Sequence, residues 1–326
     1  MTDKFGRTID YIRISITDRC NLRCVYCMPE EGVENVTHSG VLTFDEILRI
    51  CRLLAKNGLK KVKITGGEPL VRKGAAKLIQ QIKAIDGIES VTITTNGVLL
   101  TEEYYNLAAA GVDTITVSLD TLNRERYEKL TRRDEICRVL EGISLAQKEN
   151  LVRLKINVVP VYGLDEKEII SLVEFAKDND TDVRFIEVMP IGSGTEFEPA
   201  TEDDIKKIIE KKYGKLTFFS EKRGNGPSVH YSLEGFKGKI GFISAVSHKF
   251  CDKCNRVRLT ADGHLKACLQ FEAGVDLMPC LRGGGSDDEL LQLLADGISN
   301  KPESHRFDDK DYFDHREIRN MSQIGG

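Results

Sequence analysis

No stretch of the chain approaches the length of an apolar membrane span, which argues against a helix that crosses a bilayer. The opening residues, Met1-Thr2-Asp3-Lys4-Phe5-Gly6-Arg7, lack the apolar core of a signal peptide, so a cytosolic protein is expected. No single sign of charge dominates: 47 lysines and arginines against 51 aspartates and glutamates leave a formal net charge of -4. That balance gives no reason to expect a nucleic-acid partner. It still permits an anionic ligand, because arginines can cluster locally within a mildly acidic total. Low-complexity segments are absent too. A disulfide framework is not expected in a cytosolic chain, so nine cysteines point to metal or redox chemistry.

What is present describes a folded globular protein. Hydrophobic residues at 40% and charged ones at 30% are ordinary for a globular protein. The 326 residues suffice for one large domain plus an addition. Six of the nine cysteines fall in two triplets. Cys51, Cys137 and Cys280 are scattered and read as small buried apolar residues, with a place near the second triplet left open for Cys280.

The first triplet lies in Thr17-Asp18-Arg19-Cys20-Asn21-Leu22-Arg23-Cys24-Val25-Tyr26-Cys27-Met28-Pro29, spaced Cys-x3-Cys-x2-Cys after a β-like run. Such a loop can aim three thiolates at one point. Soft sulfur ligands suit zinc or an iron–sulfur cluster. A 4Fe–4S cube on three cysteines leaves one iron open, as a catalytic centre requires. A zinc knot that borrows a fourth ligand stays open at this point.

Strand-like and helix-like stretches alternate along the chain. Strands are expected at 11–16, 61–65, 90–95, 113–119, 151–159 and 182–189. Helices are expected from Thr43 (N-cap, with Glu46 completing a capping box) to near Gly58, at 72–85, from Thr101, through 123–149 and at 166–177. Six β-then-α units call for a parallel sheet with right-handed crossovers. They are two short of a closed eight-fold barrel. The expected architecture is an incomplete (β/α)6 triosephosphate-isomerase-like barrel over residues 1–190. A C-terminal α+β region, 191–326, would cover its open side. Gly192, Gly194 and Pro199 mark that boundary, Arg223-Gly224-Asn225-Gly226-Pro227 reads as an exposed turn, and the charged stretch 301–317 as a solvated tail.

Chemistry in such sheets sits at the C-terminal ends of the strands. Those ends carry the cysteine loop, Gly66-Gly67-Glu68-Pro69, Thr94 and Asn96, Ser118 and Asp120, Lys155 and Asn157, and Met189. The second triplet is Cys251-x2-Cys254-x13-Cys268, with Asn255-Arg256-Val257-Arg258 directly after its second cysteine. Taken alone, its Cys-x2-Cys suggests zinc, with His248 or His264 as a fourth ligand. Two arginines on one side of an extended segment suit an anionic ligand better.

The cysteine loop followed by Gly-Gly-Glu-Pro resembles the radical S-adenosylmethionine (SAM) enzymes. With Cys251, Cys254, Cys268, Arg256, Arg258 and a terminal Gly325-Gly326, the chain resembles the GTP 3′,8-cyclases of molybdenum cofactor biosynthesis over its whole length. The resemblance implies two 4Fe–4S clusters, one on Cys20, Cys24 and Cys27 and one on Cys251, Cys254 and Cys268. It implies SAM held at Gly67, Ser118, Tyr26 and Met189, with Thr94 facing its polar groups. It implies GTP bound by Arg13, Lys63, Thr94, Lys155, Arg256 and Arg258, and Gly325 and Gly326 threading toward the site. Lys63 departs from the family, which usually has arginine there. The reaction implied is radical conversion of GTP to (8S)-3′,8-cyclo-7,8-dihydroguanosine 5′-triphosphate. An electron donor and the pyranopterin synthase of the next step are the implied partners, and a homodimer is compatible with the sequence. The rivals are another radical SAM enzyme with an auxiliary cluster and a non-catalytic electron-transfer module.

Overall fold

The computed structural model describes residues 1–326 except 35–36, 162–164, 199, 308, 310–315 and 326. Pro199 and Gly326 therefore lie outside the described residues. Six strands follow the expected alternation: β1 (Tyr11–Ser15), β2 (Lys61–Thr65), β3 (Ser90–Thr95), β4 (Thr114–Ser118), β5 (Arg153–Val158) and β6 (Asp182–Ile186). Each pairs in parallel with the next. The residues after 190 do more than lie over this sheet, because they lengthen it. They supply β7 (Thr217–Phe219), β8 (Val229–Ser232), β9 (Ile240–Ile243), β10 (Arg256–Leu259), β11 (His264–Lys266) and β12 (Val275–Asp276). β9 continues the parallel run beyond β6, and β10 continues it beyond β1. The complete order is β12-β11-β10-β1-β2-β3-β4-β5-β6-β9-β8-β7, with antiparallel pairs at both ends and no closure.

The sheet has two unlike faces, which the period-two alternation of a strand makes possible. Ile12, Ile14, Val62, Ile64, Val91, Ile93, Ile115, Val117, Leu154, Ile156, Val183 and Phe185 are buried in the main core. Against that face pack α1 (Phe44–Lys56), α2 (Ala75–Lys83), α3 (Leu100–Ala109), α4 (Arg124–Thr131), α5 (Ile136–Glu149) and α6 (Glu166–Val173). The alternate residues, among them Arg13, Lys63, Thr92, Thr116, Lys155 and Arg184, line one cavity. Parallel strands are usually apolar on both faces, so a charged inner face marks this one for a ligand. The C-terminal helices are α7 (Glu202–Tyr213), α8 (Met278–Arg282), α9 (Asp287–Ser299) and α10 (Met321–Ile324). Among the described residues no helix is long and apolar enough to cross a membrane.

Several expectations need correction. The capping box at Thr43 and Glu46 is present, but 123–149 is two helices, broken where Arg132 adopts a left-handed φ of 55°. The second helix begins at Ala75 because Pro69–Val71 forms a tight turn first. Cys137 is exposed, whereas Cys51 is buried as expected. Arg223-Gly224-Asn225-Gly226-Pro227 is no simple exposed turn. Arg223 pairs with Asp180 and Asp182, Asn225 Nδ2 donates to Ser90 Oγ at 2.9 Å, and residues 224–227 line the cavity. The described residues of the charged stretch 301–317 are not a solvated tail either. Lys301, His305, Phe307 and Glu317 are all buried, and Lys266 pairs with Glu317 with neither side chain exposed.

Candidate active site

The cysteine loop leaves β1 and is held by backbone from two directions. Gly67 N–H donates to Thr17 O at 2.7 Å and Glu68 N–H to Arg19 O at 2.8 Å. A Cβ on Gly67 would stand 2.4 Å from Arg19 O, so only glycine allows this approach. From the other side, the end of α4 accepts from the loop: Arg23 N–H donates to Thr131 O and Val25 N–H to Leu130 O, each at 2.9 Å. Arg132, at the helix break, donates to Arg23 O and Met28 O at 3.0 and 3.1 Å. The break thus grips the loop that carries the thiols.

Around the first triplet the charges are acidic. The buried Glu68 carboxylate accepts from Leu70 N–H, Thr95 Oγ1 and Asn96 N–H at 3.0, 2.7 and 2.6 Å. Burial nevertheless lifts its pKa to about 7. Asn96 Nδ2 lies 3.8 Å from Cys20 Sγ. Burial pushes Cys20 up to about 11 and Cys27 up to about 12, with Cys20 repelling Cys27. Cys24 is also raised, by burial and then by its two partner thiols. Ionising one of the three thiols therefore makes it harder to ionise the next. Thiols in that state become thiolates when a cation neutralises them, which fits an iron–sulfur group. The Tyr26 hydroxyl donates to Asp120 at 2.7 Å, so this residue offers its ring to the cavity.

The second triplet opens on the same space. Cys251, Cys254 and Cys268 line the cavity together with Cys20, Cys24 and Cys27. Its volume is about 370 Å³, within the range of small-molecule sites. Here the charges are cationic. Burial alone would raise Cys254, but Arg256 and Lys301 outweigh it and bring the thiol down to about 7. His264 pairs with Asp262 at 3.3 Å and His248 is exposed; neither lines the cavity. Among the described residues no group of three or more His, Cys, Asp or Glu could hold a metal ion.

Between the triplets stands a field of cations. Arg13 lies beside Lys63 on one side and Arg258 on the other in the register of β1, β2 and β10. Burial lowers the pKa of Arg13, which Arg256 lowers further. Burial also brings Lys63 well below its ordinary value, helped by Arg184, Arg13 and Lys155. Arg258 is likewise well lowered, by burial and then by Arg13 and Arg256. Lys155 falls to about 8 and Arg184 to about 10, burial being the main cause of both. Lys63 Nζ donates to Thr94 Oγ1 at 3.1 Å. Lys155 is partly engaged, paired with Asp182 at 3.3 Å and donating to Arg223 O. Strands that crowd like charge on one face sacrifice stability, and an anionic ligand would relieve that strain.

Every SAM and GTP candidate expected from the strand ends lines this cavity, including Ser118, Met189, Thr94 and Arg256. Gly325 does not, but its carbonyl accepts from Arg258, and a Cβ there would come 2.9 Å from Thr65 Oγ1. Sequence reasoning missed Arg184, Asn225, Lys301 and His305, whereas Asn157, expected at its strand end, does line the cavity. The alternation Val183-Arg184-Phe185 could have revealed Arg184. Nothing local distinguishes Lys301 or His305.

Two family models match this chain: Radical SAM superfamily over residues 14–176 and Molybdenum Cofactor Synthesis C over residues 181–307. The fold is similar to Streptococcus suis SuiB bound to the precursor peptide SuiA, with a TM-score of 0.63 at 16% identity, over 98% of this chain and 76% of that one. SuiB bound to S-adenosylmethionine gives 0.59 at 17%, over 81% of this chain and 61% of that chain. The open sheet and the first family match define a radical SAM enzyme of α/β fold. The GTP 3′,8-cyclase of Clostridium perfringens (strain 13 / Type A) is 44% identical over 326 residues, covering 100% of both chains. That of Petrotoga mobilis is 44% identical over 331 residues, again over 100% of both. The chain belongs to the GTP 3′,8-cyclase family, whose radical SAM ancestry implies SAM and a 4Fe–4S cluster.

Proposed function

We propose that this chain is a cytosolic GTP 3′,8-cyclase that converts GTP to (8S)-3′,8-cyclo-7,8-dihydroguanosine 5′-triphosphate for molybdenum cofactor synthesis. The observation that carries this reading is the single cavity on which both cysteine triplets and six inward cations open: Arg13, Lys63, Lys155, Arg184, Arg256 and Arg258. Residues 1–190 form a partial barrel whose open side the region 191–326 covers. Cys20, Cys24 and Cys27 hold one cluster, and Cys251, Cys254 and Cys268 hold a second. The first cluster, when bound, supplies the electron that cleaves SAM reductively.

The chain's own residues do the rest by placement and charge. Gly66 and Gly67 bring backbone close to the bound SAM, while Tyr26, Ser118 and Met189 line its side of the cavity. Arginine forks match phosphate oxygens two at a time, so Arg13, Arg258 and Arg184 orient the triphosphate. Lys63 contributes a single-point charge in place of a fork. Gly325, held by Arg258, packs close to Ser15 and Thr65. No side chain is needed as a general base. The pyranopterin synthase takes the product.

Anaerobic incubation with GTP, SAM and dithionite tests the reading. SAM cleavage to 5′-deoxyadenosine that requires GTP, with about eight irons per chain, is expected for two cubes. Cleavage indifferent to GTP would point to a peptide-modifying relative. A colourless zinc protein that does not bind SAM would point to a non-catalytic module.

A further inference from the structure

Lys301 follows α9 and is 3% exposed. Its Nζ donates to Arg256 O at 2.7 Å and to Ala267 O at 2.5 Å. Those carbonyls lie two residues beyond Cys254 and one before Cys268. The ammonium is therefore locked behind the two chain segments that present these thiols. A second feature of the same segment reaches the third thiol: His305 N–H donates to Cys251 Sγ at 3.5 Å. Arg7 ties the pieces together, donating to Cys251 O at 3.0 Å, Pro302 O at 2.6 Å and Glu303 O at 2.7 Å. Arg7 is itself paired with Asp3 at 2.5 Å.

The first triplet has the opposite surroundings. Its ionisable neighbours include the buried carboxyl Glu68 and the half-buried Asp120, and the nearby cations Arg23 and Arg132 are only partly buried and spend their guanidiniums on loop carbonyls, Arg23 on Cys20 O and Leu22 O and Arg132 on Arg23 O and Met28 O. Net charge and hydrogen bonds to sulfur are among the levers that set the potential of an iron–sulfur cluster. A fixed buried cation favours the reduced, more negative state, and a buried carboxylate disfavours it.

Resting on the two-cluster reading above, we propose that Lys301 is a positioning residue for the second cluster, its buried ammonium holding that cluster at a more positive reduction potential than the first. His305 N–H acts in the same direction through Cys251. The two triplets, so alike in composition, are poised differently by the residues behind them.

The test is an anaerobic redox titration of the holoenzyme followed by electron paramagnetic resonance, with Lys301→Met, Lys301→Gln and Lys301→Arg beside the natural chain. In the neutral variants the second cluster's potential should fall by about 59 mV, a tenfold change in its reduction equilibrium. The first cluster should not move, and Lys301→Arg should stay near the natural value. Loss of the second cluster in both neutral variants, with retention in Lys301→Arg, also supports a required charge. An unmoved second potential, an equal shift of both clusters, or loss of the second cluster in all three variants overturns the proposal. If the natural chain carries only about four irons, the two-cluster reading itself has failed, and the proposal falls with it.

Discussion

Lys63 stands directly beside Arg13 in the parallel register of β2 and β1, and both side chains look into the same cavity. Two buried cations at adjacent strand positions destabilise the sheet that holds them. Folding and ligand binding therefore make opposite demands on Lys63. Lys63→Met should weaken GTP binding by about tenfold to a hundredfold, the worth of a charged hydrogen bond of about 1.5–3 kcal/mol. The same variant, without nucleotide, should unfold at an equal or higher temperature. Lys63→Arg should bind GTP at least as well as the natural chain. Titration calorimetry and thermal unfolding together decide this, and a drop in both quantities would make Lys63 a structural residue.

Lys155 carries a pH dependence of defined sign. Its folded pKa, about 8, lies below the ordinary lysine value. Between the two values the unfolded chain binds more protons, so this group makes stability rise as pH climbs from about 8 to about 10.5. GTP favours the charged form, so binding near pH 8.5 should take up a proton and weaken as pH rises further. Calorimetry in buffers of different ionisation enthalpy reads that uptake, and Lys155→Met should reduce it, leaving the share of Lys63.

Gly67→Ala should separate the cysteine loop from the motif after β2. The new methyl would meet Arg19 O at 2.4 Å and Asp18 O at 2.6 Å, both backbone atoms that cannot step aside. Reconstituted chain should lose the iron of one cluster and bind SAM more weakly by tenfold or more. Far-ultraviolet circular dichroism should remain that of the natural chain. Full iron content with ordinary SAM affinity would count against the close approach.

The buried pair of Lys266 and Glu317 should prove unequal in its two halves. Glu317 also accepts from Arg319 Nε at 3.0 Å, whereas Lys266 otherwise donates, among the described residues, only to Phe271 O and Glu272 O. Glu317→Leu leaves a buried ammonium without a counter-charge and should cost about 3–5 kcal/mol in denaturant unfolding. Lys266→Met leaves Glu317 paired with Arg319 and should cost less. The double variant should recover part of the loss from Glu317→Leu, as well-packed apolar replacements of buried pairs do.

Much of the site could be read from local pattern. The two triplets stand out by spacing, and the inward direction of Arg13, Lys63 and Lys155 follows from alternation with Ile12, Val62 and Ile156. The capping box at Thr43 is visible for the same reason: its chemistry spans only four residues. Arg132 was harder, because a left-handed break inside a helical pattern becomes favourable only when the freed carbonyls find the cysteine loop. Lys301 and Arg223 read locally as surface charge; their partners, Ala267 O and Asp182, are brought to them only by the fold.

Composition and spacing alone narrowed the kind of chemistry here: sulfur for a metal, arginine for an anion, glycine where backbone must come near. They assigned each strand residue to a face, since a period of two is a property of the extended backbone itself. Which residues meet was settled by the fold. β10 pairs with β1 across roughly 245 residues of chain, a register that burial of the whole apolar face selects and no local segment encodes. That one pairing sets Arg258 beside Arg13 and turns the second triplet toward the first.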